Sequence, residues 1–120
     1  MTQNITDEIE IQLKTGAYSI SQTLSLRTLE EEMDTDITNL YEYTSMDVTV
    51  FDGDVRIAST VNGAVGTKMD IDVLNEIKSG KDYFATDANV NGQSYFGYYI
   101  PFFKEGKYTG ATFTGIPQTD

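Results

Sequence analysis

The spacing of apolar residues divides the chain into two parts. Up to about Tyr43 these residues recur every three or four positions, with one step of five between Leu24 and Leu29. This spacing places them on one side of a helix. We predict one long amphipathic helix over residues 1–44, in which the step of five marks a bend or a change of packing partner. At 1.5 Å per residue such a helix spans roughly 55–60 Å, so one end is expected to project from the domain.

From Asp47 onward, apolar and polar residues alternate in pairs of short runs typical of β-hairpins. The dipeptides Asp52-Gly53 and Asn91-Gly92 each separate two such runs and suit tight type I′ turns. A further turn at residues 104–107 leads into a fifth run. Between the first two hairpins, residues 70–78 begin with acids and end in Lys before Ser-Gly, which predicts a short helix.

The predicted fold is α+β. A long N-terminal helix packs on a five-stranded antiparallel sheet formed by residues 46–116, with one short helix between strands two and three. Both faces of the fourth strand carry apolar or aromatic residues, so both faces must be covered. We expect the helix to cover one face. The loop around residues 61–69 and the short helix would close over the other and leave a pocket.

The composition and charge of the chain exclude several classes of function. The 120 residues form one domain, with 8 Lys and Arg against 19 Asp and Glu and a net charge of -11. This balance argues against nucleic-acid binding, because no excess of cations can replace counterions on phosphates. The chain contains no His and no Cys, which excludes Ser-His and Cys-His nucleophiles, imidazole or thiolate zinc sites, and haem ligation by these residues. We predict no cofactor. An enzyme built on a carboxylate pair is the disfavoured alternative.

Arg56 is the cation that lies within the predicted strands. Alternation places Arg56, Ala58 and Thr60 on one face of the sheet. There the guanidinium can grip a carboxylate with two parallel hydrogen bonds, and Thr60 can add a hydroxyl. The alternative is an exposed arginine on an edge strand, or an ion pair with Asp47 or Asp54.

Three tyrosines and one lysine complete the candidate ligand site. Tyr83, Tyr95 and Tyr99 each offer a ring for packing and a hydroxyl for a hydrogen bond, although core packing explains each one equally well. Lys68, in the predicted lid, is either a second cation for the ligand or simply solvated. We assign Phe51, Phe96, Ile100, Phe102 and Phe113 to the core.

The acids do not form a recognisable metal site. The aspartates in the turns and at the start of the short helix do not follow the spacing of an EF-hand loop. Turn and helix-start chemistry accounts for them, so we predict no metal. The same carboxylates, together with the tyrosine rings, leave open a second ligand class, an amine, which a pocket arginine would repel.

Several motifs, in order along the chain, resemble a known family. Residues 47–60 (Asp-Val-Thr-Val-Phe-Asp-Gly-Asp-Val-Arg-Ile-Ala-Ser-Thr) resemble the first hairpin of single Cache domains, the extracytoplasmic PAS-like sensors of bacterial chemoreceptors and membrane histidine kinases. The resemblance continues through residues 64–67 (Ala-Val-Gly-Thr), 80–84 (Gly-Lys-Asp-Tyr-Phe), 91–92, 95–101 (Tyr-Phe-Gly-Tyr-Tyr-Ile-Pro) and 110–115. It covers about 70 residues with their spacing intact, by counting from the first motif to the last.

The resemblance implies an extracytoplasmic ligand-binding sensor domain of a methyl-accepting chemotaxis protein, located between two transmembrane helices. No apolar run in the chain approaches the ~18–20 residues of a membrane span, and we expect the chain to be an excised fragment whose flanking segments enter the membrane. The expected ligand is a small metabolite, with a short organic acid favoured and an amine as the alternative. We also expect a homodimer through the N-terminal helix. A ligand-free dimerisation or scaffold module is the remaining hypothesis.

Overall fold

A computed structural model of the protein describes residues 5–25 and 30–118. The elements along the chain are α1 (Ile5–Ser25), α2 (Glu30–Thr44), β1 (Asp47–Asp52), β2 (Val55–Ser59), α3 (Ile71–Ile77), β3 (Tyr83–Val90), β4 (Gln93–Lys104) and β5 (Lys107–Pro117). The predicted α+β fold, with five strands and a short helix between the second and third, is confirmed. Asp70 is the N-cap of that helix, and its carboxylate accepts a hydrogen bond from the Asp72 amide at 2.8 Å.

The N-terminal segment differs from the single helix that we predicted, because its described residues, 5–25 and 30–44, form two helices. Ile20 and Leu24 of α1 share one apolar cluster with Ile37 of α2, so the two helices lie against each other. The described residues extend 41 Å at most, shorter than the predicted rod. A step of five residues turns the apolar stripe by about 140° around a helix. The apolar residues after the step therefore face a different side from those before it. Leu29, the end of that step, lies outside the described residues.

The strands form one antiparallel sheet in the order β2-β1-β5-β4-β3. The lid loop, residues 61–69, and α3 carry the chain from the β2 edge to the β3 edge. At the second hairpin Asn91 (φ 50°) and Gly92 (φ 87°) both have the positive φ that a type I′ turn requires. The first hairpin differs from our prediction. Asp52 still pairs with Val55 there, and the loop consists of Gly53 and Asp54, of which only Gly53 has positive φ.

The two faces of the sheet are covered by different elements, as the sequence predicts. On the helix face, Tyr98 and Ile100 of β4 pack with Leu13 and Ala17 of α1. On the opposite face, which we call the lid face, the lid loop and α3 cover a second cluster around Tyr99. Of the five residues assigned to the core, Phe51, Ile100 and Phe113 are buried. Phe96 is partly buried in the helix-face cluster, and Phe102 is partly exposed at an open groove.

Candidate functional site

A cavity of about 280 Å³ lies on the lid face, between the start of α3 and strands β3 and β4. Its lining combines two tyrosines with carboxylates and small residues: Asp70, Asp72, Val73, Tyr83, Ala85, Thr86, Asp87, Ala88, Asn89 and Tyr99. A larger groove of about 540 Å³ lies elsewhere, lined mainly by apolar residues of α1, α2 and the strand ends. The lid-face cavity is the better candidate for a ligand site, because several polar groups converge on it.

Arg56 is buried beneath the lid loop. Its side chain is only 3% exposed, and the guanidinium carbon lies 5.0 Å from the centre of the Phe51 ring. Nη1 donates hydrogen bonds to the Thr67 hydroxyl at 3.0 Å and to the Lys68 carbonyl at 2.7 Å. The backbone of Arg56 also pairs with the loop, donating to the Thr67 carbonyl and accepting from the Gly66 amide. Arg56 is therefore not an exposed arginine on an open sheet edge.

The Arg56 guanidinium has no counter-charge within the part of the chain that the structure describes. Its side-chain hydrogen bonds to described residues both leave from Nη1, while Nε is buried without an acceptor. Burial lowers the pKa of Arg56, and the nearby Tyr99 opposes that shift. A buried cation in this state is costly unless an anion accompanies it. The free edge of the guanidinium, Nε with Nη2, is the edge that can bind a carboxylate with two parallel bonds.

Thr60 lies apart from Arg56, contrary to the shared face that we predicted. Its hydroxyl donates to Asp47 Oδ1 at 2.8 Å and accepts from the Val48 amide at 2.8 Å. The register shifts between Val50 and Phe51, which breaks the alternation along the β1–β2 pair. As a result Ala58 packs in a helix-face cluster, while Arg56 stacks on Phe51 at the lid face.

Tyr95 belongs with Thr60 and not with the cavity. Its hydroxyl donates to Asp47 Oδ2 at 3.0 Å, so Asp47 accepts from both residues. Burial, followed by the charge of Asp47, raises the pKa of Tyr95. The tyrosine ring packs edge-on against Phe113 with the ring centres 6.1 Å apart. These contacts describe a hydrogen-bonded core group.

Tyr83 and Tyr99 both line the cavity. Their ring centres are 6.3 Å apart. Tyr99 is only 1% exposed. Burial raises the pKa of Tyr99 to about 12, with Arg56 acting in the opposite direction and Asp70 adding to the rise. The charges of both Arg56 and Asp70 therefore affect the pKa of Tyr99.

Lys68 contributes its backbone to the site. Its carbonyl accepts from Arg56, and the residue forms an isolated bridge with Val55, while its side chain is exposed. The predicted role of a second cation is not supported by any contact of its ammonium group with the cavity lining.

The sequence analysis missed two features of the site. Thr67 receives a hydrogen bond from Arg56, and its hydroxyl also donates to the Ala64 carbonyl at 2.5 Å. Asp70, Asp72 and Asp87 line the cavity, although we assigned the first two to helix-start chemistry alone. Their placement depends on how α3 packs against β3, which no local pattern gives. The described residues contain no cluster of three or more acidic side chains suited to a metal ion.

Comparisons with known proteins agree with this architecture. The family model of single cache domain 3 matches residues 28–120. The crystal structure of the E. coli DcuS sensor domain superposes with a TM-score of 0.71 at 14% identity, covering 92% of this chain and 90% of that one. At this identity the likeness shows the fold alone. A domain of an HTR-like protein from Haloarcula marismortui aligns with a TM-score of 0.41 at 15% identity, over 63% of this chain and 100% of that one. No curated protein matches the chain in sequence.

The family match covers more than three-quarters of the chain, including α2, the lid and the whole sheet. The described fold has the helices and the open five-stranded antiparallel sheet of a PAS-like sensor. The chain belongs to the single cache domain 3 family.

Proposed function

We propose that this domain binds a small metabolite at the lid face and reports it to a membrane receptor. Cache domains are sensor domains, not enzymes, and are typically extracytoplasmic parts of such receptors. In the ranges 5–25 and 30–118, no helix is long and apolar enough to cross a bilayer. As in other receptors of this kind, the proposal places the domain next to membrane-spanning helices of the same receptor. The motifs shared with chemoreceptor sensors favour a methyl-accepting chemotaxis protein as the parent receptor.

The observation that carries the proposal is the buried Arg56 guanidinium without an anionic partner in the described residues. A short organic acid would supply the missing charge through two hydrogen bonds. In the low-dielectric surroundings of Phe51 and Tyr99, the attraction is several times stronger than in bulk water. The net charge of -11 opposes the approach of an anion, but salt screens this repulsion beyond about 8 Å.

Access to Arg56 involves the lid loop. Arg56 does not line the cavity, and its Nη1 is held by Thr67 and Lys68. Because Nε is buried beneath the lid loop, a carboxylate would reach the free edge of the guanidinium, Nε with Nη2, only when residues 66–68 move. The ligand favours the rearranged loop only as far as it binds that state better.

An amine is the second candidate ligand. Asp70, Asp72 and Asp87 line the cavity, and no lining residue carries a positive charge. An ammonium group there would gain from the carboxylates and from the faces of Tyr83 and Tyr99. The proximity of Arg56 to Tyr99 opposes this reading, because the guanidinium would repel the same ammonium group.

The homodimer remains part of the proposal. Ile11 and Tyr18 of α1 are seven residues apart and both exposed, so they lie on one side of the helix where a second copy can pack. Sedimentation equilibrium tests this directly. Replacing Ile11 by Glu should weaken the dimer, and a chain that stays monomeric at all concentrations would contradict it.

A thermal-shift and calorimetry screen tests the ligand class. The panel pairs each short carboxylic acid with the amine of the same carbon skeleton. A compound at a hundredfold over its Kd should stabilise the domain by about 2.7 kcal/mol. In the variant Arg56→Met the affinity for the acids should fall more than tenfold, since hydrogen bonds to charged groups contribute ~1.5–3 kcal/mol.

The matched control is Lys78→Met, which removes an exposed cation at the far end of α3. It should leave affinity for the acids unchanged. If only the amines bind, and Asp87→Asn abolishes their binding, the ligand class is an amine and not an acid. No response to any compound would contradict the sensor proposal and leave the scaffold hypothesis.

A further inference from the structure

We propose that Asp82 links the wall of the lid-face cavity to α1, so that rearrangement of the cavity changes the packing of α1. The carboxylate of Asp82, in the segment before β3, accepts hydrogen bonds from two elements, α1 and β4. Tyr18 of α1 donates to Asp82 Oδ2 at 2.6 Å, and Tyr98 of β4 donates to the same oxygen at 3.0 Å. The inference depends on the proposed function only in treating this cavity as the ligand site.

Asp82 is attached directly to the cavity. It is followed in sequence by Tyr83, which begins β3 and lines the cavity. Residues 78–82 join the end of α3 to the start of β3, and the beginning of α3 supplies Asp70 and Asp72 to the same lining. A displacement of α3 or of Tyr83 therefore reaches Asp82 through the covalent chain.

The pairing of β3 with β4 connects the two faces of the sheet near Asp82. Tyr83 pairs with Tyr99 and Phe84 pairs with Tyr98, so neighbouring residues of β4 serve opposite faces of the sheet. Tyr99 faces the cavity, whereas Tyr98 packs with Leu13 and Ala17 of α1. Asp82 immediately precedes β3, where it can bond to the helix face while its neighbour Tyr83 lines the lid face.

The two tyrosines that donate to Asp82 differ in how far they are buried. Tyr98 is buried in the sheet, and burial followed by the bond to Asp82 raises its pKa. Tyr18 is 43% exposed, and the bond to Asp82 is the largest cause of the rise in its pKa. The bond to Tyr98 fixes Asp82 on the sheet, and the bond to Tyr18 is the one that α1 can gain or lose.

Hydrogen exchange measured by mass spectrometry tests the link without any ligand. The cavity wall is loosened by Asp70→Ala, which removes the N-cap of α3 but does not touch α1. Exchange of the α1 amides around residues 13–20 should then rise by about two- to tenfold, the range that one hydrogen bond contributes. The rise is read relative to β1 amides, which report overall destabilisation.

The same comparison is made in two backgrounds. Tyr18→Phe removes the hydroxyl that reaches Asp82, and Tyr41→Phe removes one from α2, where the tyrosine is also 43% exposed. The effect of Asp70→Ala on α1 should disappear with Tyr18→Phe and persist with Tyr41→Phe. If Asp70→Ala prevents folding, Tyr83→Phe serves as the cavity perturbation.

An equal rise in both backgrounds, or no rise in any, would overturn the link. This outcome is separate from the ligand screen. A domain that binds none of the compounds can still show the coupling, and a domain that binds an acid can lack it.

Discussion

At the scale of single residues, the interior contains buried polar groups. The free-energy cost of burying each one depends on its hydrogen-bond partners. Asp47 is a buried carboxylate that accepts hydrogen bonds from Thr60 and Tyr95. Arg56 is a buried guanidinium with no anion among the described residues. The carboxylate of Asp47 is satisfied within the protein, whereas Nε of Arg56 is buried without an acceptor. Under the proposed function, this contrast distinguishes the structural group from the binding group.

Removing one hydroxyl from the satisfied group should destabilise the fold. We expect Tyr95→Phe to lower the free energy of unfolding by ~1.5–3 kcal/mol, because the Asp47 carboxylate stays buried with one acceptor bond missing. Urea unfolding measures the loss. Tyr43→Phe, at a position that is 92% exposed, serves as the control and should change stability little. Equal stability of the two variants would show that water replaces the lost hydroxyl.

Gly97 is required by the close approach of an aromatic ring. A Cβ at this position would lie 2.2 Å from Phe113 Cε2, well inside van der Waals contact. Gly97→Ala should therefore destabilise the domain by at least ~1–3 kcal/mol, the usual range for overpacking. Thermal unfolding provides the measurement.

Gly16→Ala is the contrasting substitution. Gly16 lies inside α1, and the nearest atom to its added Cβ is the Met46 sulfur at 3.0 Å, the end of a flexible side chain. Helix propensity favours Ala over Gly by ~0.8–1.0 kcal/mol. We expect Gly16→Ala to be neutral or stabilising, so that a loss comparable to that of Gly97→Ala would contradict the packing argument.

At the scale of elements, the lid loop is held mainly by hydrogen bonds to β2 and the β1–β2 turn. The Gly66 amide bonds to the Arg56 carbonyl, and the Met69 amide bonds to the Asp54 carbonyl. The loop thereby covers the edge of β2, which would otherwise expose unpaired backbone groups. Arg56 adds its side-chain bonds from Nη1 to the same loop, so a movement of the guanidinium would also loosen this edge.

The Thr67 hydroxyl is expected to stabilise the loop locally. Thr67→Val removes the acceptor for Arg56 Nη1 and the donor to the Ala64 carbonyl. Hydrogen exchange of the amides of Gly66 and Met69 should accelerate several-fold, as for a net loss of ~1 kcal/mol. Thr109→Val, on an exposed strand residue, should leave those amides unchanged. Unchanged protection of the loop in Thr67→Val would assign its stability to the backbone bonds alone.

At the scale of the whole molecule, tyrosine ionisation links stability to alkaline pH. Burial raises the pKa of Tyr99 and of Tyr108 to about 12, and it also raises the pKa of Tyr95 and Tyr98. From pH 10 upward the unfolded chain loses these protons while the folded chain keeps them. The unfolded state then binds fewer protons, so the free energy of unfolding falls as pH rises.

Urea unfolding at a series of pH values, with tyrosinate absorbance as the titration probe, tests this expectation. Stability should decline progressively between pH 10 and pH 12, the window set by the ordinary tyrosine pKa of 10.0 and the raised pKa of about 12. Tyr43→Phe should leave the profile unchanged. Constant stability across this window would show that the buried hydroxyls ionise in the folded state at their ordinary pKa.

The sequence by itself determined the elements of the β-sheet and the short helix. The turn residues Asn91 and Gly92 fix a two-residue hairpin because both adopt positive φ, and the acids before α3 fix its start. The double-sided apolar pattern of β4 required cover on both faces, which α1 and the lid provide. These features follow from local backbone preferences and from the period of apolar residues along the chain. Both depend only on residues that are close together in sequence.

Only the tertiary structure decided which polar groups meet. The packing of α1 against α2, the bonds from Thr60 and Tyr95 to Asp47, and the bond from Tyr18 to Asp82 each join positions distant in sequence. A single irregular pair in the β1–β2 ladder moved Ala58 to the other face from Arg56. Side-chain partners depend on register and on how elements pack, and a shift of one residue reverses the face without changing the pattern along the chain.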